Sequence, residues 1–141
     1  MTNFILHAYP TANNLNGAEV TKKADEVVLF GALVKKGTAA GDVKETAAST
    51  DVIMGIAKYD EELAFTNDAD QYADNDVVVM ETLVSGQIFN LLNSGTASIA
   101  EGIEVEAAAD GKIAAGSTDP IGVTNEVIAG SSRGEVIIQF K

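Results

Sequence analysis

Read by its apolar positions, the chain changes character at residue 27. From there on, short runs rich in Val and Ile are cut by glycine and acidic residues at intervals of about 10 to 20 residues, the rhythm of strands joined by turns. The runs occupy 27–34, 52–57, 77–84, 88–92, 103–107, 112–115, 121–124 and 135–140. In one of them Ile103, Val105 and Ala107 alternate with Glu104 and Glu106, which predicts a strand with one wet face. Asp110-Gly111 follows, a pair suited to positive φ, and predicts a tight hairpin that returns through Lys112-Ile113.

Two stretches fit more than one element. In 85–95, Ile88, Leu91 and Leu92 fit one face of a short helix ended by Gly95 as well as they fit a strand; strand is the preferred reading. The alanine-rich stretch 37–48 carries glycines that favour an extended hairpin or a loop over a helix. The first 26 residues show no sustained period and hold Tyr9-Pro10, Asn13-Asn14, Asn16-Gly17 and Lys22-Lys23. They read as an arm, 1–26, ahead of a single β-rich domain, 27–141. The arm's apolar patch, Phe4-Ile5-Leu6 with Ala8 and Tyr9, has no partner nearby in sequence. It docks on its own domain, docks on a neighbour, or forms a strand of the chain's own sheet.

The pattern also repeats. Thr50-Asp51-Val52-Ile53-Met54-Gly55-Ile56-Ala57 aligns with Thr118-Asp119-Pro120-Ile121-Gly122-Val123-Thr124. Each follows a glycine-led apolar step, Gly31-Ala32-Leu33-Val34 in one case and Gly102-Ile103-Glu104-Val105 in the other. Each is followed by a β-branched run, Val77-Val78-Val79 and Val136-Ile137-Ile138. A duplicated β-unit is the simplest account.

Composition supports the strand reading. Val and Ile number 25 against eight Leu, and eleven Thr add to a β-branched excess that crowds a helix and suits a pleated sheet. The 21 Ala cluster between Gly, Asp and Thr, as short turns and small packing residues. A chain of 141 residues buries enough surface as one domain to stand without disulfide or metal, and it has no cysteine. The expected fold is mainly β: a small β-barrel or β-sandwich with a duplicated β-unit and an extended N-terminal arm.

Charge narrows the partners. Nine basic residues against 21 acidic ones give a net charge of -12, a surface that repels a phosphate backbone, so no nucleic-acid partner is expected. The N-terminal residues carry no basic leader and only a short apolar run, and no stretch is long enough to cross a bilayer as a helix; no membrane partner is expected either.

Candidate chemistry is sparse. His7 is the one histidine, so no Cys/His nucleophile pair and no thiolate or multi-histidine metal site can be assembled in one chain. No Gly-x-Ser-x-Gly elbow occurs. The acidic tract 67–76 fails the EF-hand pattern: counted from Asp68, position six is Ala73 where glycine is needed and position twelve is Val79 where glutamate is needed. Gly37-Thr38-Ala39-Ala40-Gly41-Asp42 has the wrong spacing for a P-loop and an aspartate in place of its lysine. The acids allow many carboxylate pairs, but eight aromatics and no Trp leave few platforms for sugars. No catalytic residue, metal or cofactor is assigned.

The glycine-punctuated strands resemble a known group. Ile53-Met54-Gly55-Ile56-Ala57 and Ile121-Gly122-Val123, the step Ser98-Ile99-Ala100-Glu101-Gly102-Ile103-Glu104-Val105, and the closing Gly134-Glu135-Val136-Ile137-Ile138 resemble the capsid cement or head-decoration proteins of tailed viruses. The likeness covers about residues 25 to 141; the acidic insertion 68–76 departs from it. It implies a structural, non-enzymatic virion protein without cofactor, made in the host cytoplasm. Such a protein forms a homotrimer, binds the major capsid protein on the exterior of an icosahedral shell and stabilises it. On this reading Phe4, Ile5, Leu6, His7 and Tyr9 are the candidate capsid-interface residues. They would add as an extended strand to a capsid sheet edge, with Pro10 ending the pairing for want of an N–H. The competing readings are another virion or surface structural component (tube, spike or surface layer) and a carbohydrate-binding adhesion module.

Overall fold

The β-branched runs become strands of two like units set in tandem. The computed structural model describes residues 17–60 and 70–140. In order the strands are β1 (Glu19–Ala24), β2 (Val28–Leu29), β3 (Leu33–Lys36), β4 (Asp42–Glu45), β5 (Ile53–Ala57), β6 (Gln71–Tyr72) and β7 (Val77–Glu81). They continue with β8 (Ile88–Leu92), β9 (Glu104–Ala107), β10 (Ile113–Ala115), β11 (Pro120–Thr124) and β12 (Arg133–Ile138). The 85–95 stretch takes the strand alternative, with Phe89 and Leu91 buried between half-buried neighbours. The 37–48 stretch is a hairpin turn followed by β4. The Asp110-Gly111 turn is present, with φ of 61° and 69°, and closes the β9–β10 hairpin through a single 3-10 turn at Ala109–Gly111.

Two readings shift. The described part of the stretch read as arm, from residue 17 on, holds β1, a strand of the first barrel. Its two-residue period is masked in the sequence: Val20, Lys22 and Ala24 share one face, and a lysine stands where a core residue is expected. Lys22 pairs with the buried Val78. The run 27–34 is also two strands, not one, broken at Gly31, whose φ of 81° turns the chain between β2 and β3.

Strands β4-β3-β5-β7-β1 form a closed barrel, sealed by a parallel pairing of β1 with β4. The second sheet has the order β10-β9-β11-β12-β8, the same order strand for strand. Its ends meet through one parallel bridge, Asn93 to Ile113, where the first barrel pairs Ala24 with Val43. The β2–β6 pair, Val28 with Tyr72, has its counterpart in the bridge between Ile99 and Ile128.

The duplication extends to single hydrogen bonds. Gly31 and Gly102 both have left-handed φ, 81° and 78°, and their N–H groups donate to Ala57 and Thr124, at the ends of β5 and β11. Ala24 donates to the Asp76 carbonyl at 2.8 Å as Asn93 donates to that of Ser132 at 2.9 Å. Gly55 faces Val34 and Gly122 faces Val105. A Cβ at either glycine would stand 2.5 Å or 2.4 Å from the carbonyl oxygen of the next strand, Glu81 or Ile137, so both sites need glycine for backbone to approach backbone.

Each unit has its own core, and the cores are not alike. Inside the first barrel Phe30 meets Tyr59 and Tyr72 edge-on, at ring centroid distances of 5.4 and 5.0 Å, among Val28, Val34, Val43, Val78 and Met80. The second core contains Phe89, Leu91, Val105, Ile113, Ile128, Val136 and Ile138 together with two residues of the first unit, Leu33 and Ile56. Leu33 and Ile56 are cross-strand partners on the outer face of the first barrel. The first barrel therefore lays its outside against the second unit's inside.

Candidate functional site

Phe4, Ile5, Leu6, His7 and Tyr9, the interface residues expected from sequence, lie outside the described residues. Within them, an open groove lies at the junction of the two units.

The junction is held by buried polar groups. Glu81, at the end of β7, is 3% exposed, and its Oε2 accepts hydrogen bonds from Gln87 Nε2 at 2.7 Å and from the Gly17 N–H at 3.2 Å. Lys58 Nζ stands 3.8 Å from Glu81 Oε1 and 2.7 Å from Glu19 Oε2, so the buried carboxylate is paired. Gln87 opens the second unit, and its Oε1 accepts the Val84 N–H. Arg133 completes the junction from β12: its guanidinium donates to the carbonyls of Phe30 at 3.0 Å and Asn90 at 3.5 Å, one in each unit. Burial pulls its pKa below the usual arginine value.

Beside these contacts runs a groove of about 370 Å³, walled by 49–53, by 118–121 and by Phe140. The two Thr-Asp segments aligned in the sequence thus line one cleft. The Asp51 carboxylate accepts the N–H groups of Ala47 at 2.6 Å and Ala48 at 2.9 Å and pairs with Lys35 at 3.1 Å. Those N–H groups, the Ala47 one first, hold its pKa below the usual aspartate value. They fold 47–51 into a tight turn that leaves Val52 in the open, 83% exposed. The opposite wall is set by the Asp119 N–H, which donates to Glu106 Oε2 at 2.8 Å. The Gln139 N–H donates to the carbonyl of Ile121, a lining residue next to Pro120.

The groove offers apolar contact with carboxylates in its walls and carries no paired nucleophile and base. Sequence reasoning missed it because Val52 reads as the first residue of a strand, and only the Asp51 turn places it outside. Among the described residues no three His, Cys, Asp or Glu side chains gather to hold a metal ion. The described part of the acidic tract, 70–76, forms a turn in which the Asp76 carboxylate accepts the Ala73 N–H at 2.8 Å.

Comparison with known proteins identifies a family of structural proteins. Residues 6–141 match a family described as structural cement protein (E217 gp24/Pam3 gp6). Among solved structures the chain is similar to the N base of head fiber gp8.5 in bacteriophage phi29, with a TM-score of 0.65 and 12% identity over 86% of this chain and 93% of that one, a likeness of fold. No curated protein matches. The matched span takes in both repeats.

Proposed function

Because this chain belongs to the phage structural cement protein family, a family of capsid-associated structural proteins, we propose that it binds the outer surface of an assembled icosahedral shell as a homotrimer and braces it. The observation that carries the reading is the matched span, 6–141, which includes two complete β-units and most of the segment before them. The shape of the molecule supports it. Two units locked by a shared core and by buried polar bridges make a stiff body, which is what a brace needs.

In this reading the protein works by binding alone and breaks no bond. Its partner is the major capsid protein; nucleic acid and membrane are not partners. Phe4, Ile5, Leu6, His7 and Tyr9 add as a strand to an exposed edge of the capsid subunit, where backbone hydrogen bonds give affinity and side-chain pockets give register. Three copies around an axis act together, so that weak single contacts sum to a firm grip through high effective concentration. The charge of -12 keeps free copies apart until the shell gathers them.

The test is co-sedimentation with undecorated heads. The full chain is expected to pellet with them, and a chain lacking residues 2–10 to stay folded and remain in solution. Equal pelleting by the truncated chain removes the arm from the mechanism; no pelleting by the full chain removes the brace itself.

A further inference from the structure

Besides their shared core, the two units meet where a turn of one sits on the strands of the other. The β9–β10 turn of the second unit lies beside Ala32 and Thr46 of the first. The Gly111 N–H donates to the Thr46 carbonyl at 3.2 Å, and the Thr46 hydroxyl donates to the Ala108 carbonyl at 2.9 Å. Gly111 is buried there, and a Cβ on it would stand 2.5 Å from that of Ala32.

Each half of this contact has a counterpart in the other repeat, and both counterparts lie open. The turn corresponds to the β3–β4 turn: Gly37 donates to the Asp42 carbonyl at 2.7 Å as Ala108 donates to that of Lys112 at 2.8 Å, and Gly41 shares the left-handed φ of Gly111, 83° against 69°. Thr38, Ala39, Ala40 and Gly41 are exposed, and a Cβ on Gly41 would have no atom within 4 Å. The receiving strands correspond to Ile103 and Gly116, since the Gly116 N–H donates to the Glu104 carbonyl at 3.0 Å as the Thr46 N–H donates to that of Leu33 at 3.0 Å. Here Gly102, Ile103, Glu104, Gly116 and Ser117 line an open hollow of about 350 Å³.

The two open halves differ in charge. Lys36 leads into the exposed turn, and the Lys23 N–H donates to the Gly41 carbonyl at 3.1 Å. The nearby Asp25 carboxylate accepts the Thr38 N–H at 2.9 Å, and that bond, with the charges of Lys44 and Lys23, keeps its pKa below the usual aspartate value. The hollow is the opposite: 101–106 and 114–119 hold Glu101, Glu104, Glu106 and Asp119 and no Lys or Arg. A Cβ on Gly116 would run into Glu106 Oε1, so that carboxylate stands at the edge of the hollow.

We propose that the turn 38–41 of one copy seats in the hollow formed by 102–104 and 116–117 of a second copy, repeating between chains the contact the two units make within one. The first barrel is closed on its own aromatic core, so the turn contact alone is repeated and the shared core is not. Lysines at the turn meet carboxylates at the hollow, which fixes the orientation of molecules that repel at longer range. The contact is small, and a shell that gathers copies strengthens it. Because it joins unlike patches it runs head to tail and closes into a ring where the rotation allows; it rests on the homotrimer reading for the number three and names the interface of that trimer.

The chain has no cysteine, so full-length single variants can be mixed. Ala40→Cys and Ser117→Cys change small, exposed residues and leave the fold undisturbed. Under mild oxidation the mixture is expected to form mixed disulfide dimers at least about fivefold faster than either variant alone forms like dimers. Equal rates overturn the proposal. Adding Lys36→Glu to the Ala40→Cys chain is expected to slow the mixed linkage, and an unchanged rate overturns the charge pairing. A chain carrying both cysteines separates this contact from the trimer reading. A ladder of linked chains that ends at three supports both, and preferred mixed linkage with a ladder that ends elsewhere keeps the contact and removes the number three. A three-chain sedimentation mass for the wild-type protein without preferred mixed linkage keeps the trimer and overturns the contact.

Discussion

Leu33 and Glu104 hold the same place in the two repeats, each one residue before the valine that faces a strand glycine, yet Leu33 is fully buried and Glu104 is half-exposed. Their cross-strand partners diverge in the same way: Ile56 is buried beside Leu33, and Val123 is half-exposed beside Glu104. The face that the first unit turns to the second unit's core at Leu33 and Ile56 is, at the same place in the second unit, turned towards solvent. A carboxylate there gives a further copy no apolar patch to pack on. Glu104→Leu is expected to create an apolar face there and drive self-association, read as a steeper rise in sedimentation coefficient with concentration than the wild-type chain gives.

The same pair predicts where the two-unit body is weakest. Leu33→Ala empties a fully buried site in the second core and is expected to lower unfolding stability by about 2–5 kcal/mol, the usual range for such a truncation. Glu104→Ala, on the wet face, is expected to change it by less than about 0.5 kcal/mol. Denaturant titration of the two variants checks the contrast.

The strand glycines give a test of the duplication itself. Gly55→Ala and Gly122→Ala each push a Cβ to about 2.5 Å from a backbone oxygen that cannot rotate away, and each is expected to cost about 1–3 kcal/mol. Similar losses in the two variants, measured by thermal unfolding, are the signature of equivalent sites.

Arg133 ties the units through carbonyls on both sides. Arg133→Met keeps the apolar stem and leaves those oxygens without a donor, at a cost of about 1–3 kcal/mol. Arg133→Lys is expected to recover only part of it, because one ammonium cannot span two carbonyls as the planar fork does.

Two carboxylates predict opposite pH trends. Burial raises the pKa of Glu45, helped by the charges of Asp110 and Glu26 and opposed by the Leu29 N–H and by Lys112. A raised carboxyl binds its proton more tightly folded than unfolded, so stability falls as pH climbs from the ordinary glutamate range through the folded value, and Glu45→Gln removes that fall. Asp51 is lowered, so its contribution is full above the ordinary aspartate range and is lost as pH drops through the folded value; Asp51→Asn removes that loss. Melting temperatures of the three proteins between about pH 3 and pH 8 separate the two.

Much of this architecture can be read along the chain, for reasons particular residues explain. The Gly31 and Gly102 steps, the Gly55 and Gly122 positions and the Asp110-Gly111 turn are backbone requirements, and only a few residue types meet them; the repeat shows through a low overall similarity because these positions cannot drift. What hides is what depends on distant context. β1 is obscured by Lys22 at an inward-facing position, and β4 has only Val43 as apolar signal, because a barrel seam asks for backbone pairing more than for side chains. The outward role of Leu33 is invisible because 30–34 is buried throughout, which erases the alternation that tells one face from the other. Glu81 and Gln87 look like surface residues and are buried only because the two units meet on them. The candidate interface at Phe4, Ile5, Leu6, His7 and Tyr9 was placed by resemblance and lies outside the described residues, while the groove depended on a turn no periodicity reports.

The order of the strands also sets a timetable for the nascent polypeptide. The first barrel draws all its strands from residues 19–81, so it can close while the second repeat is still inside the ribosome. Leu33 and Ile56 then face water as a greasy spot with no cover until the residues after Gln87 emerge and wrap them. The interval between the two repeats is when a growing chain is most exposed to its neighbours on the same message, and Glu104, at the place of Leu33, leaves the second repeat without a spot of that kind.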